Sequence, residues 1–422
     1  ILKKIIYLFL CCVSSSLLAQ KTNIPAVLDA DPQGVQVVKT NHSIQIGGKT
    51  ISYTAITGYM HMKADTGKVL AKIFFTYYQK DGEDAGKRPV TFTFNGGPGS
   101  ASLWLHMGGV GPKRVVLKDD GTATAAPFTY VPNEFSWLDK TDLVFIDPVS
   151  TGFSRAVNGE AAKNYHGFEE DISSVGDFVR TFLGRYERWA SPKFLAGESY
   201  GTTRAAGLSK YLQDRHRIYI NGVILISAVL NFGTNNYDIG NDLPRALYIP
   251  SYTAAAWYHK KLSPALQARP IAEVLKESEA WAIGEYASAL IKGAWMSAKE
   301  KEAIAEKMAY WTGLSKELCL QANLRVDENR FYKALRRADG LSVGRLDARF
   351  TGRNLDDAGE YVDFDPSFTN IDGPFTATIN DYLERELKFK DEKGYNVFGD
   401  VYPWNYNNVQ NKYLNVAESL RD

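Results

Sequence analysis

The pentapeptide Gly197-Glu198-Ser199-Tyr200-Gly201 sets a serine between two glycines. The apolar run 193–197 precedes it with the character of a short strand, and 202–214 follows as a helix. A serine on such a sharp strand-to-helix turn is strained into an exposed position, while the glycines let strand and helix pass close together. The start of a helix also favours developing negative charge. This is what acyl transfer through an activated hydroxyl needs. The same five residues also suit a serine that merely caps its helix, so the pentapeptide leaves both readings open.

A second stretch bears on that choice. "FNGGPGSASLWLHMGGVGP", residues 94–112, puts a glycine-rich loop after a buried strand. Glycine has no Cβ, so such a loop can aim main-chain N–H groups at an oxyanion. A tight turn of purely structural use is the alternative. "GGKT" at 47–50 resembles the end of a phosphate-binding loop, but position 43 is Ser where that loop needs Gly, and a strand follows instead of a helix.

The elements that must position these residues read as alternating strands and helices. Residues 43–58 alternate apolar and polar around Gly47-Gly48, a hairpin pattern, and 69–79 and 88–94 continue as strands. "DLVFID" (142–147) is a short apolar run of the kind found in inner parallel strands. Residues 169–187 carry Ile172, Val175, Val179, Phe182 and Tyr186 at helical spacing; 193–197 and 221–227 are strands. Strand–helix–strand–helix–strand implies a mostly parallel sheet with crossover helices, an α/β architecture. Beyond about 236 the chain turns mostly helical, and 236–400 reads as a helical insertion covering the sheet.

Asn95-Gly96-Gly97-Pro98-Gly99, "DLVFIDPVSTGFS" (142–154) and "GESYG" (197–201) resemble the serine carboxypeptidase family in order and spacing. The likeness is strong over about 70–230 and looser through "VGRLDARFTG" (343–352) and the C-terminal "YPWNY". It implies an α/β-hydrolase fold with a largely helical cap, and a serine-type carboxypeptidase of bacterial style acting on peptides with a free C-terminus, without cofactor or metal. It implies Ser199 as nucleophile, with the main-chain N–H groups of Gly97 and Tyr200 as oxyanion hole. Asn95 and Glu198 would bind the substrate's terminal carboxylate, and an acid donates to a carboxylate only when protonated. Two positions depart from the family: Gly109 stands where better-known members have a second glutamate, and Thr93 where they have a tryptophan. Ser100 replaces a family cysteine.

In this fold the serine's partners follow it in the order Asp, then His. After Ser199 the only histidines are His216, at the end of the following helix, and His259, in the cap stretch; both read as packing or surface residues. His42, His61, His106 and His166 precede the elbow and lack metal-ligand spacing. Asp400 precedes the Trp-rich segment "YPWNYNN" (402–408), beyond which the family's triad aspartate lies, and is rejected. The sequence starts with Ile and stops at Asp422, where the family would supply its last strands, Asp and His. The expectation is a fragment open at both ends and inactive as written, with 1–19 a leader, 20–235 the first part of the core, 236–400 the cap, and 401–422 a return to the core. An acyltransferase or esterase on the same fold, or an inactive binding protein if Asp422 is the natural end, are the rival readings.

The 422 residues carry 49 basic and 48 acidic side chains, a formal charge of +1, which gives no electrostatic reason to expect nucleic acid or an anionic membrane as partner. Lys3 and Lys4 followed by an apolar run from 5 to 13 and Leu-Leu-Ala before Gln20 read as an export signal, too short to span a bilayer. Periplasmic or secreted placement follows, with no membrane span in the mature chain. Cys11 and Cys12 would leave with that signal, so Cys319 could form no intrachain disulfide.

Overall fold

The computed structural model of the chain describes residues 26–30, 36–406 and 416–420; the expected leader over 1–19 lies outside the described residues. Strands β1 (Ala26–Ala30), β2 (Gln36–Ile46), β3 (Lys49–Lys63) and β4 (Val69–Lys80) form an antiparallel wing, with Gly47 and Gly48 turning the chain between β2 and β3. Then come β5 (Val90–Phe94), β6 (Asp142–Ile146), β7 (Lys193–Glu198) and β8 (Gly222–Ile226), mutually parallel. Their order across the sheet is β1-β2-β3-β4-β6-β5-β7-β8, so β5 and β7 lie side by side inside the parallel part. In that register Gly197 faces Phe94, which brings the end of the glycine-rich loop's strand beside the pentapeptide.

Every residue of β5 and β6 is buried, as expected of inner strands with both faces covered. On one face pack helices α1 (Phe168–Arg185) and α2 (Tyr200–His216): Phe178, Val179 and Phe182 of α1 and Leu208 and Leu212 of α2 meet Phe75, Phe92 and Val144. Fully burying such side chains is worth about 1.5–3 kcal/mol each.

The helical stretch after 236 divides by what it packs on. Helices α3 (Ile249–Tyr258), α4 (Ile271–Trp281) and α5 (Ala298–Thr312) bury Tyr252, Val274, Trp281 and Met308 in a core of their own, which also holds the free cysteine Cys319. Helix α6 (Pro366–Arg385) instead joins the sheet's second face, where Phe375, Ile379, Tyr382 and Leu383 meet Tyr53, Tyr78 and Phe145. Thus the region read from sequence as one insertion contributes both a separate helical layer and part of the sheet's own core.

At the far end of the parallel strands, Asp142 Oδ1 accepts from Arg88 Nε at 2.6 Å and Oδ2 from Arg188 Nη1 at 2.5 Å, all three side chains buried. A buried acid between two guanidiniums satisfies charge that would otherwise be costly to desolvate. It fixes where β5 and β6 begin, and so where their other ends deliver the loops of the site.

Candidate active site

Ser199 sits between the end of β7 and the first turn of α2 at φ 58°, ψ −128°, a conformation a non-glycine residue holds at a cost of about 1–3 kcal/mol. Its side chain does not cap the helix. The local bonds run through main chain and Thr202: Ser199 N–H donates to Ile226 O at 3.0 Å, and Thr202 Oγ1 donates to Ser199 O at 2.7 Å. Among the described residues no hydrogen bond reaches Ser199 Oγ. The backbone strain thus holds a half-buried hydroxyl at the head of a helix, free of local partners.

The glycine-rich loop passes against this turn. A Cβ on Gly96 would lie 2.7 Å from Gly201 N and 2.8 Å from Glu198 O, so only glycine lets the two backbones approach this closely. Gly97 adopts φ 104°, again glycine's territory. Among the described residues neither the Gly97 N–H nor the Tyr200 N–H has a hydrogen-bond partner. Two unsatisfied donors beside a strained serine are what an oxyanion would need.

Asn95 is fully buried and held at every polar side-chain atom. Its Oδ1 accepts from Leu105 N–H at 3.0 Å, its main-chain oxygen accepts from Arg204 Nη1 at 2.6 Å, and its Nδ2 donates to Glu198 Oε2 at 3.0 Å. The Leu105 contact fixes which end of the amide faces Glu198. Burial raises the Glu198 carboxyl above the usual carboxylate range, while the Asn95 bond and the charge of Arg345 pull the other way. The structure therefore brings Ser199, Gly97, Tyr200, Asn95 and Glu198 into one place.

A strap over 396–405 closes the rear of this site. Asn396 and Gly152 exchange main-chain bonds at 2.7 and 2.9 Å, Gly399 N–H donates to Gly99 O at 2.8 Å, and Phe168 N–H donates to Asn405 O at 2.7 Å. Val401 and Trp404 bury themselves against Tyr200, the rings of Trp404 and Tyr200 meeting edge to face at 5.5 Å. The sequence reading found no role for most of this segment, since what organises it is main-chain pairing with distant loops.

The two family departures have plain structural settings. Thr93 is buried in β5 and donates its hydroxyl to Val144 O at 3.0 Å. Gly109 is exposed, its main-chain oxygen accepting from Asn133 Nδ2 at 2.9 Å. A Cβ there would meet only Leu105 Cδ2, at 3.9 Å, so the absent acid is not a matter of room.

The histidines are engaged elsewhere. His216 Nε2 lies 3.1 Å from Asp177 Oδ1, and His259 Nε2 lies 2.6 Å from Ala348 O. His166 Nε2 lies 2.8 Å from Ser150 Oγ, and His106 is fully enclosed with Nε2 2.6 Å from the Tyr78 hydroxyl. Burial lowers His106 to about 3, which keeps it neutral. Among the described residues no group of three or more His, Cys, Asp or Glu side chains is placed to hold a metal ion.

The family model described as serine carboxypeptidase matches residues 47–417. Serine carboxypeptidase-like 33 of Arabidopsis thaliana is 28% identical over 167 residues, 38% of this chain and 32% of that protein. Pheromone-processing carboxypeptidase KEX1 of Saccharomyces cerevisiae is 35% identical over 138 residues, 31% of this chain and 18% of that protein. The match thus spans about a third or less of either relative's length. Among solved structures, the prohormone-processing carboxypeptidase Kex1 from Saccharomyces cerevisiae aligns at 20% identity with TM-score 0.38, covering 61% of this chain and 53% of that one.

Proposed function

The chain belongs to the serine carboxypeptidase family, of α/β-hydrolase fold, and on that premise we propose that it removes C-terminal residues from peptides through an acyl-enzyme on Ser199. The observation that carries this reading is the strained Ser199 beside the N–H groups of Gly97 and Tyr200, which have no hydrogen-bond partner among the described residues. Ser199 Oγ attacks the scissile carbonyl carbon, its proton passing to a general base, and the carbonyl oxygen gains the negative charge that the two N–H groups stabilise. Collapse expels the C-terminal amino acid as leaving amine, which takes up a proton. Water then attacks the ester carbonyl and restores Ser199. Asn95 and a protonated Glu198 hold the terminal carboxylate of the substrate, so that the bond one residue inward meets the serine.

A fluorophosphonate probe tests the core of this reading. The protein expressed from its natural gene should be labelled at Ser199, and Ser199→Ala should lose the label. Equal labelling of both forms would overturn it.

The same protein is, in this reading, exported. The support is the basic then apolar order of residues 3–13. Among the described residues no helix is long and apolar enough to cross a membrane. N-terminal sequencing of the mature protein should begin at Gln20, directly after Ala19. A mature form that keeps residues 5–13 would count against export by this signal.

A further inference from the structure

Away from the serine, the end of β3 and the C-terminal half of α1 enclose a second pocket, of about 430 Å³. Lys63, Arg180 and Arg185 line it together with His61, Asp177 and Trp189. Three cationic side chains thus face one acid. The chain as a whole carries 49 basic and 48 acidic side chains, so the excess is local and does not follow from composition. A cavity of this size falls in the range that holds a small molecule.

The cations come from two separate elements. Lys63 ends β3 just past a shift of register, for Met62 pairs with Ala71 but Lys63 with Val69. Such an irregularity re-aims a side chain at the end of a strand. Met62 itself is buried in the same core as Phe178 and Phe182 of α1, which holds this end of β3 against the helix. Arg180 and Arg185 stand on α1, the first exposed and the second buried. Among the described residues neither the Lys63 ammonium nor the Arg180 guanidinium forms a hydrogen bond or an ion pair. The one acid, Asp177, is engaged by His216, whose Nε2 lies 3.1 Å from its Oδ1. Cations that share one cavity repel each other, and an anion placed among them removes that repulsion.

The pocket also has a fixed aromatic wall. Trp189 is half exposed, and a Cβ on Gly184 would stand 3.7 Å from its Nε1, so the indole lies along α1. Its main-chain oxygen accepts from Lys193 Nζ at 2.7 Å, and the preceding Arg188 is wholly buried in its bonds to Asp142 and Tyr77. The end of a helix disfavours an anion through its open carbonyls. Here Phe182 O already accepts from Tyr186 N–H and Leu183 O from Arg188 N–H.

We propose that this pocket is a binding site for a phosphate monoester that carries a flat ring. Lys63, Arg180 and Arg185 hold the phosphate group, and Trp189 stacks on the ring. Three positive charges against one negative leave a surplus of two in the lining. A phosphate monoester, at about −1.5 to −2 near pH 7, matches that surplus, whereas a singly charged carboxylate or sulfate ester leaves part of it unmet. Guanidinium forks meet phosphate oxygens with two N–H groups at a time. An indole offers a rigid face for offset stacking. Trp189 precedes the start of β7 and Ser199 follows its end, so a ligand here leaves the peptide site open.

Phenyl phosphate is the probe. Inorganic phosphate and benzyl alcohol represent the two halves of its chemistry, and phenyl sulfate is its singly charged counterpart. Calorimetric titration of the unsubstituted protein should show one saturable site for phenyl phosphate, weakened by added salt. Lys63→Gln and Arg180→Gln alter exposed side chains and should leave the unfolding temperature unchanged. Each should weaken phenyl phosphate by about fivefold or more, the scale of a lost charged hydrogen bond at a partly solvated site. Trp189→Ala should weaken phenyl phosphate while leaving inorganic phosphate within about twofold. Asp177→Asn removes the opposing charge and should tighten binding. Benzyl alcohol alone should not bind measurably. Absence of saturable phenyl phosphate binding at millimolar concentration would overturn the proposal. So would an affinity unmoved by both Lys63→Gln and Arg180→Gln, or phenyl sulfate bound as tightly as phenyl phosphate.

Discussion

Arg204 Nη1 donates to the main-chain oxygen of Asn95 at 2.6 Å, which ties the helix that follows Ser199 to the loop that carries Gly97. The same guanidinium gives Nε to Asp171 Oδ2 at 2.7 Å and lies between the rings of Phe94 and Tyr200. Its side chain and that of Asp171 are 1% and 2% exposed. One buried cation thus sets the spacing between nucleophile and candidate oxyanion donors.

Breaking that pair should cost both stability and geometry. Asp171→Asn leaves Arg204 buried without its counter-ion, and a loss of about 3–5 kcal/mol in urea unfolding is expected. The double change Asp171→Leu with Arg204→Leu should regain much of that stability, because no charge is left stranded. It should still label slowly with a fluorophosphonate, because Asn95 O has lost its donor. Normal labelling by the double variant would show that Arg204 plays no part in positioning the loop.

Glu198 gives a pH dependence with a definite sign. Burial raises its carboxyl, so more of it is protonated at a given pH than for an exposed glutamate. The protonated form donates to a substrate carboxylate and the ionised form repels it. KM for peptides with free C-termini should therefore rise as pH increases, while peptides with blocked C-termini should change less. Glu198→Gln keeps a donor at all pH values and should flatten the difference. Parallel profiles for free and blocked peptides in the unsubstituted enzyme would remove Glu198 from this role.

Asp147 is the second acid to watch. It is fully enclosed, its Oδ1 accepting from Ser102 N–H at 2.8 Å, and burial pushes its carboxyl up from 3.8 to about 6 against the pull of that bond and of Tyr395. An acid raised on folding contributes stability that is fully present below its unfolded value and is lost as pH rises through the folded one. The window here runs from about pH 4 to about pH 6, and a shift of about two units corresponds to roughly 3 kcal/mol. Asp147→Asn keeps the acceptor for Ser102 and cannot ionise. Its unfolding free energy should fall less between pH 4 and pH 7 than that of the unsubstituted protein; identical slopes would mean that Asp147 titrates normally.

The elements around the nucleophile were legible because each signal is local. The Gly47-Gly48 turn, the apolar runs at 142–147 and 193–197, and the glycines around Ser199 each declare themselves within a few residues. Helix α6 did not, because Gly373-Pro374 falls in its middle and local propensity argues against it. Packing of Phe375, Ile379 and Tyr382 on the sheet overrides that propensity. The buried charges Arg88, Asp142, Arg188 and Arg204 were equally hidden, since charged residues are read as surface until their partners are known, and those partners are distant in sequence. Arg345 lay in a stretch noted only for its loose family likeness, and nothing in its neighbours announces that its charge bears on Glu198.

The strap over 396–405 has a consequence in time as well as in space. Asn396 Nδ2 donates to Ser150 O across 246 positions of chain, and the bonds to Gly99 and Phe168 span comparable lengths. Closing loops of that length costs entropy before any contact repays it, so contacts this distant slow folding and are expected to form late. In pulsed hydrogen exchange during refolding, the amides of Gly152 and Gly399 should gain protection after those of β5 and β7; simultaneous protection would contradict this order. The nascent protein would then pass through a stage in which the sheet and its serine turn exist while Tyr200 still lacks the cover of Val401 and Trp404, which are synthesised well after the turn they enclose.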